Sequence, residues 1–206
     1  VKTVLPIIIN ENQNILMIRS FVNELKGKLE TFRTLNNNEI RKLNDIAKKY
    51  NIKYQNKHKL DLVDEILSNV DVIPNSIVLA QAAIESGWGK SRFAKEYNAL
   101  FGEYTYDDSE GVIPLERENG DTHLIKAFSS YSNSVESYFD NINSHYAYED
   151  FRDIRNIMRK RNNFSNVNLL VNKLSTYAED ENYIKTIRQV IKTNNFSIFD
   201  QKTISY

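Results

Sequence analysis

Ser76-Ile77-Val78-Leu79-Ala80-Gln81-Ala82-Ala83-Ile84-Glu85-Ser86-Gly87-Trp88-Gly89-Lys90-Ser91 is the stretch on which the reading of this chain turns. From Ile77 to Ile84 only Gln81 is polar, so a helix here is apolar nearly all round and belongs in an interior. Pro74-Asn75-Ser76 supplies a start signal, and Gly87 with Gly89 supplies the stop. Gln81 and Glu85 stand four residues apart and share one helix face. A carboxyl at the end of a buried helix is poorly solvated, which raises its pKa and suits it to donate a proton. The plain alternative is an ordinary helix end carrying a solvated glutamate, the commoner situation for that residue.

Outward from this segment the pattern stays helical. Ile15, Ile18, Val22 and Leu25 predict an amphipathic helix over 11–33. Asn36-Asn37-Asn38 interrupts it, with Asn38 as the N-cap of a second helix whose inner face is Ile40, Leu43, Ala47 and Tyr50. Leu60, Val63, Ile66 and Leu67 mark a third. Between Phe101 and Phe128 the helical period fails, and Ile113–Arg117 and Thr122–Phe128 flank Asn119-Gly120, a strong hairpin signal. Helices resume at Ser132, with stripes through Val135, Tyr138, Phe139 and Ile142, then Phe151, Ile154, Ile157 and Met158, then Leu170, Leu174 and Tyr177, then Ile184, Ile187 and Ile191. Ser197–Tyr206 reads as a tail. The predicted class is mainly α with a small β-hairpin.

Composition narrows the function classes. In 206 residues, 27 Lys and Arg balance 27 Asp and Glu, which argues against a nucleic-acid binder and its usual basic excess. Hydrophobic residues at 41% and charged ones at 26% are ordinary globular usage, so disorder is excluded as the general state. Cysteine is absent, which removes disulfides, thiolate chemistry and cysteine–zinc sites. His58, His123 and His145 lack ligand spacing, so neither a metal nor another cofactor is expected. The apolar run Val4–Ile9 is too short to span a bilayer. A chain beginning at Val1 reads as a trimmed or processed form.

Ala80–Ser91, followed by Asn98-Ala99-Leu100-Phe101-Gly102, resembles the bacterial β-N-acetylglucosaminidases of glycoside hydrolase family 73, which cut peptidoglycan. The Bax-type branch is the nearest in pattern. The likeness extends through Val70–Ser76, Ser91–Ala94, the stretch from Phe128 to Tyr138, and the opening Leu5-Pro6-Ile7-Ile8 with Asn14-Ile15-Leu16. This resemblance implies a lysozyme-like fold at 71–196, with 1–70 as an N-terminal helical extension packed on it and 197–206 as the tail. It makes Glu85 the general acid for the β-1,4 bond between N-acetylglucosamine and N-acetylmuramic acid. The family's second glutamate precedes a turn like Glu116-Arg117-Glu118-Asn119-Gly120, which points to Glu116; Glu118 is the near rival, and Glu103 and Glu110 are outside candidates. A Tyr-Ala-(Thr)-Asp segment of the family corresponds to Tyr177-Ala178-Glu179-Asp180, followed by Tyr183, and offers Tyr177 as a site phenol. The stripe Leu170–Leu174–Tyr177 equally suits a core position.

Gln81, Trp88, Asn98, Phe101 and Tyr131 complete the candidate site as substrate-binding residues, with aromatic core packing the competing account of Trp88. Ala99 stands where a second asparagine is usual, and Glu103-Tyr104 where isoleucine-lysine is common outside the Bax branch. The resulting expectation is an exported monomer of the periplasm or cell envelope acting on peptidoglycan glycan strands. Hydrolysis is inverting, with Glu116 activating water, or assisted by the acetamido oxygen of the substrate. A lytic transglycosylase is the enzymatic rival, though its Gly-Leu-Met-Gln-like segment is missing. A non-catalytic glycan-binding or scaffold protein is the rival of a different class.

Overall fold

A computed structural model describes residues 1–113, 124–163, 166–178 and 180–202. The longest helix, α1 (Val4–Glu30), buries Ile8, Asn12, Ile15, Val22 and Leu25 along one stripe. It starts seven residues before the expected 11–33 span, because Pro6 falls in the first turn, where its missing N–H is not needed. The next helix, α2 (Asn37–Lys49), is capped by Asn36 rather than Asn38. Asn36 Oδ1 accepts from the Glu39 N–H at 3.0 Å, and Glu39 Oε2 accepts from the Asn36 N–H at 2.9 Å. This reciprocal pair needs an acid three residues on, which Asn36 has in Glu39 and Asn38 lacks.

After α3 (Lys59–Asn69) comes α4 (Asn75–Glu85), in which every residue from Asn75 to Ala83 is buried. Its entry is clamped from two sides. Asn12 of α1 brackets Ile73, accepting from its N–H at 3.0 Å and donating to its carbonyl at 2.9 Å. Arg155, fully buried on α7 (Glu149–Lys160), donates to the carbonyls of Asp71 at 2.9 Å and Asn69 at 2.6 Å. Residues from α1 through the last helix share one continuous core.

A short α5 (Arg92–Tyr97) leads into a three-stranded antiparallel sheet of β1 (Tyr104–Thr105), β2 (Gly111–Val112) and β3 (Leu124–Lys126) in the order β1-β3-β2. Ile125 pairs with Tyr104 on one side and Val112 on the other. The expected hairpin thus gains a third strand, and Gly111–Val112 pairs with β3; of the expected arm Ile113–Arg117 only Ile113 is among the described residues. Gly111 allows that approach, since a Cβ there would stand 2.5 Å from Leu124 Cβ. Asn119-Gly120 lies outside the described residues. From α6 (Tyr131–Ser144) the chain passes to α7, α8 (Val167–Val171) and α9 (Tyr183–Thr193).

The described part of the expected 197–206 tail departs from the sequence reading. Phe196–Lys202 forms a 3₁₀ helix packed against α4 and α9 rather than an unattached tail. Asp200, only 6% exposed, accepts from the N–H of Ser76 at 2.8 Å and from its hydroxyl at 2.7 Å. Asp200 therefore satisfies donors in the first turn of α4, where a carboxylate is favoured. No helix among the described residues is long and apolar enough to cross a membrane.

Candidate active site

Glu85 ends α4, and the chain turns away from it at once. Gly87, Trp88 and Gly89 hold φ of +55°, +60° and +74°, a left-handed run that stops the helix. Two glycines adopt it freely, while Trp88 does so under strain. Backbone and side-chain bonds enforce the turn: Trp88 N–H donates to the Ala83 carbonyl at 2.7 Å, and Ser86 Oγ accepts from the Gly89 N–H at 2.8 Å. The Glu85 carboxyl is left at the rim of the core, half-buried.

A chain of hydrogen bonds approaches it from the interior. Tyr138 donates to Gln81 Oε1 at 2.5 Å, Gln81 Nε2 donates to the Tyr183 oxygen at 3.0 Å, and the Tyr183 hydroxyl donates to Glu85 Oε1 at 2.7 Å. Glu85 Oε2 takes no part in that chain and lies beside Gly102, where an added Cβ would stand 3.5 Å away. Burial raises the Glu85 carboxyl above the ordinary range, against the smaller opposing pull of the Tyr183 hydroxyl. Around these groups the aromatic rings stack, Phe101 on Tyr138 at 4.2 Å and Tyr177 parallel to Tyr183 at 5.8 Å. What results is a partly desolvated acid with one oxygen anchored and the other without a hydrogen bond among the described residues.

Glu85, Gln81, Phe101 and Tyr177 are thus brought together, but not all as expected. Gln81 is fully buried behind Glu85, with both ends of its amide bonded to tyrosines. The Tyr177 hydroxyl donates to the Phe101 carbonyl at 2.9 Å. Asn98, left-handed at φ +53°, closes α5 and donates to the Phe128 carbonyl at 2.9 Å. Trp88 and Tyr131 stand apart from the acid, lining a crevice of about 200 Å³ on another face of α4 with Ala82, Ala83 and Ser86. Glu116 and Glu118 lie outside the described residues.

Two residues emerge that sequence reading passed over or ranked low. Tyr183, the direct partner of Glu85, shows in sequence only as the tyrosine that follows Tyr177–Asp180 and as the i−4 neighbour of Ile187 on the inner face of α9. Glu103 lines a groove of about 880 Å³ together with Lys126, Phe128, Ser137, Asp140 and Tyr148. Burial pushes its carboxyl up to about 7, although the Ser137 hydroxyl and the Lys126 charge pull the other way. Asp140, on the same groove, is pushed by burial up to about 6, opposed by Lys49. No group of three or more potential metal-ligating side chains occurs among the described residues.

Comparison with known proteins places this geometry in a family. Residues 60–196 match the family described as mannosyl-glycoprotein endo-β-N-acetylglucosaminidase. The chain is 32% identical over 179 residues to Protein bax of Escherichia coli (strain K12), covering 86% of this chain and 61% of that protein. It is 35% identical over 92 residues to Peptidoglycan hydrolase FlgJ of Escherichia coli (strain K12), covering 40% of this chain and 29% of that one. The chain therefore spans less than two thirds of the length of either relative. The catalytic domain of the autolysin Auto from Listeria monocytogenes is similar with a TM-score of 0.48 and 19% identity, over 88% of this chain and 86% of that one. With a family match over more than half its length and a relative above 30% identity along most of it, this chain belongs to the glucosaminidase family of glycoside hydrolases.

Proposed function

We propose that the protein is an exported endo-β-N-acetylglucosaminidase of lysozyme-like fold that hydrolyses the β-1,4 bond between N-acetylglucosamine and N-acetylmuramic acid in peptidoglycan. The observation that carries this reading is the state of Glu85, a carboxyl raised by burial and anchored through Oε1 by Tyr183. A raised pKa keeps such an acid protonated at the pH where it must give up its proton. With Oε1 occupied as an acceptor, the proton belongs on Oε2, facing away from the anchoring chain. Glu85 protonates the bridging oxygen, the bond to the sugar breaks, and Tyr183 then stabilises the new carboxylate. Water completes the reaction, activated by Glu116 or following attack by the acetamido oxygen. The similarity to FlgJ, a peptidoglycan hydrolase, supports this substrate class.

Glu85→Gln tests the assignment. The variant keeps the fold and glycan binding, and clearing of purified cell walls falls by about two to four orders of magnitude. Reducing-end analysis of wild-type products should find N-acetylglucosamine at the new ends. A well-folded Glu85→Gln protein that clears walls at the wild-type rate removes Glu85 from the chemistry.

A further inference from the structure

The chemistry proposed for Glu85 leaves Glu103 without a task. Glu103 follows Gly102, the residue lying against Glu85 Oε2, and its carbonyl accepts from the Lys126 N–H at 2.8 Å. Its Oε2 accepts from the Ser137 hydroxyl at 2.9 Å. Its Oε1 is buried with no hydrogen-bond partner among the described residues. An unsatisfied buried oxygen costs stability, and packing alone would be served better by an apolar side chain. A carboxyl oxygen without a partner among the described residues is open to a donor that arrives from outside. The space for it is present, since Glu103 lines the 880 Å³ groove with Lys126, Ser137, Asp140 and Tyr148. The last torsion of a glutamate is soft, so the carboxyl can turn its free oxygen toward a group entering that groove.

The groups around Glu103 decide which ligand chemistry fits. Lys126 faces it from β3, Ser137, Tyr138 and Asp140 from α6, and Tyr148 and Tyr177 from the turns beyond, while Glu85 reaches the same tyrosines from α4. Burial raises the Glu103 carboxyl to about 7 and so favours its protonated form, against the pull of the Ser137 hydroxyl and the Lys126 charge. A protonated carboxyl offers one donor and one acceptor, the complement of an amide.

Resting on the reading of the substrate as peptidoglycan, we propose that Glu103 is a substrate-recognition residue whose Oε1 hydrogen-bonds an amide of the glycan strand in the groove that Glu103 lines. That amide belongs to the acetamido group of a sugar or to the peptide stem. The test measures KM, kcat and melting temperature for wild type, Glu103→Leu and Glu103→Gln between pH 5.5 and 8.5. Both stem-bearing peptidoglycan and glycan stripped of its stems serve as substrates.

Glu103→Leu raises KM about tenfold, the size of one lost hydrogen bond to a buried group, at an unchanged or higher melting temperature. Glu103→Gln, a neutral donor and acceptor, recovers most of the loss and removes the weakening of binding as pH rises through 7. A defect on both substrates assigns the amide to the sugar, and a defect only on stem-bearing material assigns it to the stem. Wild-type KM for Glu103→Leu on both overturns the proposal. Sedimentation of Glu85→Gln and the Glu85→Gln/Glu103→Leu double variant with the same glycans gives a readout independent of cleavage. A wild type that binds without cutting overturns the hydrolase reading alone, whereas equal binding by those two variants, or none by either, overturns this proposal.

Discussion

Tyr183 holds one oxygen of Glu85, its hydroxyl donating to Oε1 at 2.7 Å, and Oε2 takes no hydrogen bond among the described residues. The direction of that bond is fixed from behind. Gln81 Nε2 can only donate, so the Tyr183 oxygen must accept from it and turn its own proton toward Glu85. Gln81 is held in that sense by Tyr138, which donates to its carbonyl oxygen. A polar chain buried in an aromatic setting thus sets the acid's orientation before any substrate binds, the kind of preorganisation on which positioned proton transfer depends.

Removing only that hydroxyl tests the arrangement. In Tyr183→Phe the Glu85 carboxylate loses a donor that favours its charged form, so the folded pKa rises further above the ordinary value. The alkaline limb of the kcat/KM profile, where the acid deprotonates, moves to higher pH. Loss of positioning lowers kcat about three- to tenfold, and the unpaired Gln81 amide costs about 1–3 kcal/mol of stability. An alkaline limb that stays in place in Tyr183→Phe would show that the hydroxyl does not act on Glu85.

Tyr177 gives the opposite pattern. Its ring stacks on Tyr183 and its hydroxyl is engaged by the Phe101 carbonyl, so Tyr177→Phe keeps the stack and loses one bond to the backbone. Stability drops by about 1 kcal/mol while turnover changes less than threefold. A fall in turnover of tenfold or more at an unchanged melting temperature would return Tyr177 to the chemistry.

The buried helix, its end at Glu85 and the small β element were legible in sequence because each rests on local signals. An apolar run, a glycine pair and a broken period need no knowledge of the rest of the chain. Tyr183 and Glu103 were hard to weigh because their importance comes from pairings across long separations. Tyr183 meets a residue 98 positions away. Glu103 looks like any loop acid until Ser137, 34 positions on, and the burial of its carboxyl are known. Asp200 is a third case, a polar residue near a chain end whose partner lies 124 positions earlier.

Asp71 marks a purely structural charge network. Its side chain is fully buried, receives Arg159 Nε at 2.9 Å and NH2 at 2.5 Å, and faces Arg19 Nε at 3.3 Å. Burial works to raise this carboxyl, but the guanidiniums prevail and hold it below its usual value. A lowered folded pKa contributes stability that is present above the unfolded value near 3.8 and lost as pH falls through the folded one. Asp71→Asn takes away the buried charge that the half-buried Arg159 and Arg19 face and costs about 3–5 kcal/mol in urea titrations, and it removes this group's share of the acid destabilisation. A loss below about 1 kcal/mol would show that solvent already screens the network.

Asp200 connects the end of the described chain to α4, the helix that ends at Glu85. It accepts from both the N–H and the hydroxyl of Ser76, and Asn75 Nδ2 donates to the neighbouring Phe199 carbonyl at 2.8 Å. Asp200→Ala leaves two buried donors without their acceptor at the start of α4, a loss of about 1–3 kcal/mol. Asp200→Asn keeps an acceptor oxygen for Ser76 and loses less. Because α4 carries Glu85 at its far end, ten residues from Asn75, the damage should appear first as a lower melting temperature. Well below that temperature, kcat and KM of the folded Asp200→Ala protein stay near wild type. Should kcat collapse while the melting temperature holds, Asp200 would have to reach the acid through the length of the helix, and the capping role assigned to it here would be wrong.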